Sequence, residues 1–291
     1  MKKIMVMKTK TRKKMRVTKS NHVLIIGTVA LDTIETPFGK VEKALGGSAT
    51  YASFAASFFS KPAVISVVGD DFPAEYLELM KKRGIDLHGL KITGKTFHWD
   101  GFYEYDMNEA KTRKTELNSL ENFKVDIPEK YRDLNYVFLA NIDPEQQLET
   151  LKQINKPDFV VIDTMNFWIN NKKKYLIDVI KKADVLLLND GEARQLFNTF
   201  NLVKAANEAL SLGPKAVIIK KGEHGALLFT KNKHFNAPSY PLENIKDPTG
   251  CGDCFGGAFI GYLAKIKDLN EKNFRKAIIY GSVVASHNAE D

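Results

Sequence analysis

The densest concentration of chemistry-bearing residues is the run DPTGCGDCFGGAF at positions 247–259. Pro248 and Gly250 predict a tight turn, and Gly252 stands where a helix should begin. The first N–H groups of a helix have no internal partner and carry the positive end of its dipole. The backbone of Gly250, Cys251 and Gly252 is therefore expected to form an anion site suited to a phosphoryl group. Asp253, at the helix start beside that site, can accept the proton of a hydroxyl as it attacks a γ-phosphate. The plainer reading of Asp253 is an acidic residue placed to suit the helix dipole. The glycine density around it favours the catalytic one.

The chain has two cysteines, Cys251 and Cys254, both inside this run. That is too few for a disulfide scaffold and fits a reducing compartment. Their C-x-x-C spacing can activate a thiol at a helix N-terminus. Gly252 and Asp253 between them are already accounted for by phosphoryl transfer, so redox chemistry is the lesser reading. No G-x-x-x-x-G-K-[ST] run occurs, and no protein-kinase H-R-D or D-F-G set. No His/Cys group has zinc spacing.

The elements that must position this site can be read from pattern. Apolar runs predict strands at His22–Leu31, Ala63–Val68, Tyr136–Asn141, Phe159–Asp163, Val185–Asn189, Ala216–Lys220 and Ala226–Thr230. Between them lie helical patterns at Ser48–Phe59, Ala74–Arg83, Pro144–Gln153, Lys173–Lys182, Gly191–Phe197 and Leu202–Leu212. This alternation predicts an α/β fold, a three-layer α/β/α core with a mostly parallel sheet. Gly252–Ile266 is nearly all small or apolar and predicts a helix buried against the sheet, followed by a helix over Asn270–Asn288. Two stretches break the rhythm, about 33–45 and about 95–115. The second alternates aromatic and polar residues from Phe97 to Tyr105. Both are expected to build a small β lid over the mouth of the core. Asn141 and Asn166 fall near strand ends and are expected to face the same site.

The net charge is +8, but residues 1–20 hold nine Lys/Arg and no acid, so residues 21–291 are nearly neutral. That balance does not call for a polyanionic partner, and nucleic acid is not expected. The basic stretch 1–20 is expected to be a disordered tail on a single domain at 21–291. A basic start followed by apolar Val23–Leu31 has the outline of a secretory signal. The run ends at Asp32 without a small-residue cleavage site, so a cytoplasmic protein is expected. No stretch approaches the ~20 apolar residues of a membrane span.

The segment at 247–253 resembles the D-T-x-G-A-G-D signature of the ribokinase-like (PfkB) carbohydrate kinases. Pro248 and Thr249 alter the order after the first Asp, and Cys251 stands where Ala is typical. The resemblance runs over nearly the whole chain. It implies a ribokinase-like fold and transfer of the ATP γ-phosphoryl group to a hydroxyl of a small carbohydrate. A nucleoside acceptor on the same fold is the alternative, and a non-catalytic sugar-binding regulator is a third reading. In the early G-T-V-A-L-D run, Asp32 is implied to bond sugar hydroxyls. Gly46-Gly47 are implied to close around the sugar, with Thr50 in place of the usual Asn. Phe97 and Trp99 of the lid are expected against the sugar or base.

On the nucleotide side the resemblance implies Asn189, Lys220, Gly222 and Gly225, with His287 near the adenine. Asn189 and Glu192, the N-x-x-E motif, are implied to organise Mg²⁺ through water. Asp247 is implied at a K⁺ site. The family's D-x-N-x-R run for acidic sugars reads D-T-M-N-F-W here, at 163–168, so the carboxylate-binding Arg is missing. Family members usually continue past the last helix, where further chain walls the adenine pocket. The expected partners are a small sugar or nucleoside and a second copy paired through the lid.

Overall fold

The structure, a computed structural model, describes residues 21–290; the expected basic tail at 1–20 lies outside the described residues. The first half contains β1 (His22–Ile26), β2 (Ala30–Thr36), β3 (Gly39–Gly46), α1 (Ser48–Ser57), β4 (Lys61–Val68), α2 (Ala74–Lys82), β5 (Asp86–Ile92), β6 (His98–Tyr103), β7 (Ala110–Glu116) and β8 (Tyr136–Leu139). Then follow α3 (Pro144–Gln153), β9 (Phe159–Ile162), α4 (Asn166–Asn171), α5 (Lys173–Ile180), β10 (Val185–Asn189), α6 (Asp190–Phe197) and α7 (Leu202–Ser211). The chain closes with β11 (Ala216–Lys220), β12 (Ala226–Thr230), β13 (Lys233–Ala237), α8 (Cys251–Ile266) and α9 (Glu271–Ala289).

The main sheet runs β13-β12-β11-β10-β9-β8-β1-β4-β5. Pairing is parallel from β5 across to β11, and antiparallel for β12 and β13. Alternate side chains feed two cores. Val23, Ile25, Phe138, Val161, Leu187 and Ile218 pack with residues of α1, α8 and α9. Leu24, Ile26, Leu139, Ile162, Leu186 and Ile219 pack with α5, α6 and α7. Helices cover both faces, which is why these strands are apolar at every position rather than at every second one. The expected three-layer α/β/α core is what forms.

One expected strand is corrected. His22–Leu31 is not continuous: β1 stops at Ile26, and β2 begins at Ala30 in a different sheet. Buried hydroxyls take over the backbone at the break. Ser66 Oγ donates to Gly27 O at 2.7 Å and accepts from Val29 N–H at 3.2 Å. Ser48 Oγ accepts from Thr28 N–H at 3.0 Å. These partners come from remote parts of the chain, so a hydrophobic pattern cannot show the break. Strands β5 and β13, and the short helix α4, were not expected. The two strands are sheet edges of mixed polarity, and edge strands lack the apolar run that marks a central one.

The four strands β3-β2-β6-β7 form the second sheet, from two hairpins joined by parallel β2–β6 pairing. It occupies the segments read from the sequence as a lid, about 33–45 and about 95–115, and extends slightly beyond them. Among the described residues, no helix is long and apolar enough to cross a membrane.

Candidate active site

The carboxyl ends of the parallel strands bring Asn141, Asp163, Asn189 and Lys220 to one edge of the main sheet, where open α/β sheets bind ligands. The N-terminus of α8 meets them there. Gly250 precedes it with φ +77°, and a Cβ at this position would stand 2.4 Å from the Tyr51 ring. Only glycine fits both the left-handed backbone and the contact. Asp247 Oδ1 accepts from Thr249 N–H at 2.8 Å and shapes the turn. Cys251 N–H donates to Pro248 O, and Cys254 N–H to Gly250 O. The amide of Cys251, expected to bind the anion, is thus spent within the turn. The open donors are the N–H groups of Gly252 and Asp253, which have no acceptor among the described residues. Lys220 Nζ stands 3.1 Å from where a Cβ on Gly252 would be. The Lys220 ammonium therefore lies beside the helix N-terminus that carries the two open amides, a combination suited to an anion.

The carboxylates around this position are strongly coupled to their surroundings. Lys220 Nζ lies 2.6 Å from Asp163 Oδ2, with only 15% and 4% of the two side chains exposed. Burial alone would lower the Lys220 pKa. Asp163, Glu192 and Asp253 outweigh burial and hold the ammonium charged. Burial pushes Asp253 up to about 7, with Asp163 and Asp32 adding to the shift and Lys220 opposing it. A carboxyl poised there suits proton transfer near neutrality.

The acceptor side is organised around Asp32, which is 4% exposed. Its Oδ2 accepts from Gly47 N–H at 3.2 Å, while Oδ1 has no hydrogen-bond partner. A Cβ on Gly46 would fall 1.9 Å from Oδ2, so only glycine lets the turn close on this carboxylate. Burial holds Asp32 at about 7; the backbone N–H of Gly47 opposes the rise, and Asp247 adds to it. An orphaned buried oxygen beside a glycine turn is what a ligand hydroxyl would satisfy. Thr50, expected as a substrate contact, instead donates its hydroxyl to Gly46 O at 2.7 Å and braces the turn. Asn141 is also occupied: Nδ2 reaches Met165 Sδ at 3.1 Å, and Oδ1 accepts from Trp168 Nε1 at 2.8 Å. Asn166 sits exposed at the start of α4. Phe97 and Trp99 are half-buried at the start of β6, and the Trp99 indole donates to Thr112 Oγ1 within the lid.

The four-stranded sheet touches the turn before α8 directly. Thr249 Oγ1 donates to Tyr103 Oη at 3.1 Å. Asn108, in the β6–β7 turn, brings Oδ1 within 3.2 Å of where a Cβ on Gly222 would be. Gly222 and Gly225 shape the turn between β11 and β12, with φ +52° and +80°.

Residues 101–291 match the profile of the pfkB family carbohydrate kinases. The chain belongs to that family. It is 29% identical to a cytidine kinase of Thermococcus kodakarensis over 256 residues, covering 86% of this chain and 91% of that one. The solved nucleoside kinase of Methanocaldococcus jannaschii, described as an archaeal member of the ribokinase family, superposes with TM-score 0.76. That match has 21% identity and covers 94% and 93% of the two chains. A putative ribokinase II of E. coli, solved with ATP and Mg²⁺, superposes with TM-score 0.76 at 19% identity over 92% of each chain. The fold is therefore ribokinase-like, and this pfkB kinase is a phosphotransferase acting on a hydroxyl with ATP.

The metal side of the pfkB site is sparse. Asn189 and Glu192 form a reciprocal capping box at the start of α6, each bonding the other's backbone N–H at 2.7 Å. Burial holds Glu192 up at about 8, with Lys220 opposing. Among the described residues, no three His, Cys, Asp or Glu side chains cluster as a metal cage. This donor set fits Mg²⁺, which is usually carried by phosphates and waters with one or two protein carboxylates.

His287 is 69% exposed on α9, pairs with Glu290 at 3.3 Å, and lies beside the ring of Tyr240. Its neighbour Asn288 is the more engaged residue. Asn288 Nδ2 donates to Thr249 O at 2.7 Å, and Oδ1 accepts from Cys254 Sγ at 3.4 Å. Burial pushes the Cys251 thiol up to about 11 and the Cys254 thiol well above its ordinary value, so both stay protonated. Tyr51, Tyr103, Asp163 and Asn288 were not expected at the site. Only Asp163 had a usable signal, as an acid at the end of an apolar strand.

Proposed function

We propose that this kinase phosphorylates a hydroxyl of a nucleoside, with Asp253 as the general base. The observation that supports the reaction is the Lys220 ammonium standing beside Gly252 at the start of α8, next in sequence to Asp253 and the open amides. The acceptor oxygen attacks the γ-phosphorus of ATP, and a new O–P bond forms as the bond to the ADP oxygen breaks. The hydroxyl proton passes to the Asp253 carboxylate. The amides of Gly252 and Asp253 receive the negative oxygens of the transferring group. Asp32 supplies its free oxygen to a second hydroxyl and orients the sugar.

A sugar alone was the leading expectation from sequence. The nucleoside reading is now favoured by the relative named a cytidine kinase, which matches 86% of this chain. Mg²⁺ would enter with the nucleotide and hold its water against Glu192, supplying neutralisation of phosphate charge. Asp247, beside the Ala289 carbonyl that receives its N–H, marks where K⁺ would sit. The test is ADP release over cytidine, other nucleosides, ribose and hexoses, with Mg²⁺ and with or without K⁺. Turnover confined to free sugars would overturn the nucleoside assignment.

A further inference from the structure

A lysine at the end of β11 has two ways to serve a nucleotide. It could extend along the turn that follows, Gly222–His224, and lend general attraction to the phosphates. Alternatively it could be fixed at one point. The structure shows the second arrangement. Lys220 reaches across β10 to Asp163, at the end of β9, and its Nζ is drawn to 2.6 Å from Oδ2. Asp163 is itself fixed: Oδ1 accepts from Thr164 N–H at 2.9 Å. The Asp163 carbonyl is held by Gln147 Nε2 at 3.2 Å. The ammonium is thereby carried to the start of α8, beside Gly252 and one residue from the base.

We infer that Lys220 is a catalytic residue that stabilises the phosphoryl group in transit, and that Asp163 is the positioning residue that holds its ammonium over the N-terminus of α8. The inference rests on the kinase reading above and deepens it. Charge demands such a cation. Asp163 pairs with Lys220 directly, and Glu192 and Asp253 also act on it electrostatically, so the ground around the passing phosphoryl group is negative without it. Lys220 is the compensating positive side chain within that group. Because the Asp163 contact already fixes it, no reorganisation is needed as charge develops on the phosphoryl oxygens, and its effect falls on turnover rather than on ATP binding.

The test compares Lys220→Met, Asp163→Asn and the double variant with the wild type. The measurements are kcat and KM for ATP at saturating acceptor, with ADP affinity by calorimetry as the check on folding. Lys220→Met should lower kcat by ~10²–10³-fold, the loss typical of one electrostatic donor to a transition state. Its KM for ATP should stay within about threefold, as expected for an interaction made only in the transition state. Asp163→Asn should lower kcat by at least about tenfold, and the double variant should be no slower than Lys220→Met, since both substitutions remove one function. The double variant removes both members of the Lys220–Asp163 pair, so neither is left buried without the other, and it remains informative if either single variant fails to fold.

A raised KM for ATP at unchanged kcat would make Lys220 a simple nucleotide contact and overturn the inference. So would wild-type turnover in Asp163→Asn or in the double variant, or losses that multiply in the double. A wild-type protein that turns over no nucleoside or sugar sinks the kinase reading and this inference together. Wild-type turnover with any of the other outcomes sinks the inference alone.

Discussion

Asp253 should make this enzyme switch off in acid near neutrality, far above the range of an ordinary carboxylate. Its pKa stands at about 7, against an ordinary value of 3.8. That displacement corresponds to about 4 kcal/mol in favour of the neutral acid, at about 1.4 kcal/mol per pKa unit. The base works only when deprotonated. At pH 6 roughly a tenth of the molecules carry a competent base, and at pH 5 roughly a hundredth. The value of kcat/KM for the acceptor should therefore rise about tenfold per pH unit below 7 and level off above 8. The assay is ADP release from pH 5 to 9 at saturating Mg²⁺, which keeps the nucleotide in one ionic form. Asp253→Asn at pH 8 should lose ~10²–10⁴-fold in turnover, the usual contribution of a general base. Its residual rate should no longer follow the limb at pH 7. Lys220 opposes the upward shift, so Lys220→Met should move the wild-type limb to higher pH. A flat profile from pH 5 to 8, or an Asp253→Asn variant that keeps both rate and limb, would refute the base assignment.

Three further outcomes follow from the same contacts. Gly46→Ala would place a Cβ 1.9 Å from Asp32 Oδ2 and push that carboxylate aside. It should cost about tenfold or more in kcat/KM for the acceptor, as losing a specific hydroxyl contact does, with KM for ATP unchanged; unchanged acceptor kinetics would count against Asp32. Tyr103→Phe removes the bond from Thr249 to the lid, worth about 1 kcal/mol. It should lower kcat/KM for the acceptor by about fivefold with a melting temperature lower by only about 2–4 °C, and a variant identical to wild type would show that this contact does not hold the lid. Since burial keeps Cys251 at about 11 and holds Cys254 well above its ordinary value, iodoacetamide at pH 7.5 should leave the native enzyme active and label both thiols only after unfolding, as mass spectrometry would report.

What the amino-acid order settled by itself was local. Glycines at 46, 47 and 250 and the acids at 32 and 253 occupy positions whose backbone geometry or spacing is already a chemical statement. The apolar runs of β1, β8, β10 and β11 announce strands covered on both sides, because a parallel sheet needs apolar residues at every position. Everything that required two distant segments to meet was decided by tertiary structure. The end of β1 at Ile26 depends on Ser66, 39 residues beyond Gly27, and on Ser48, 20 residues beyond Thr28. Thr50 and Cys251 lost their expected roles because nearby carbonyls, invisible in the sequence, claimed their hydrogen bonds. Asp163 gained a role because parallel pairing sets β9 and β11 on either side of β10, within reach of a lysine side chain. The poise of Asp253 itself is tertiary in origin. An aspartate written in a sequence has an ordinary pKa, and only burial among Asp163, Asp32 and Lys220 lifts it to where a hydroxyl proton can be taken.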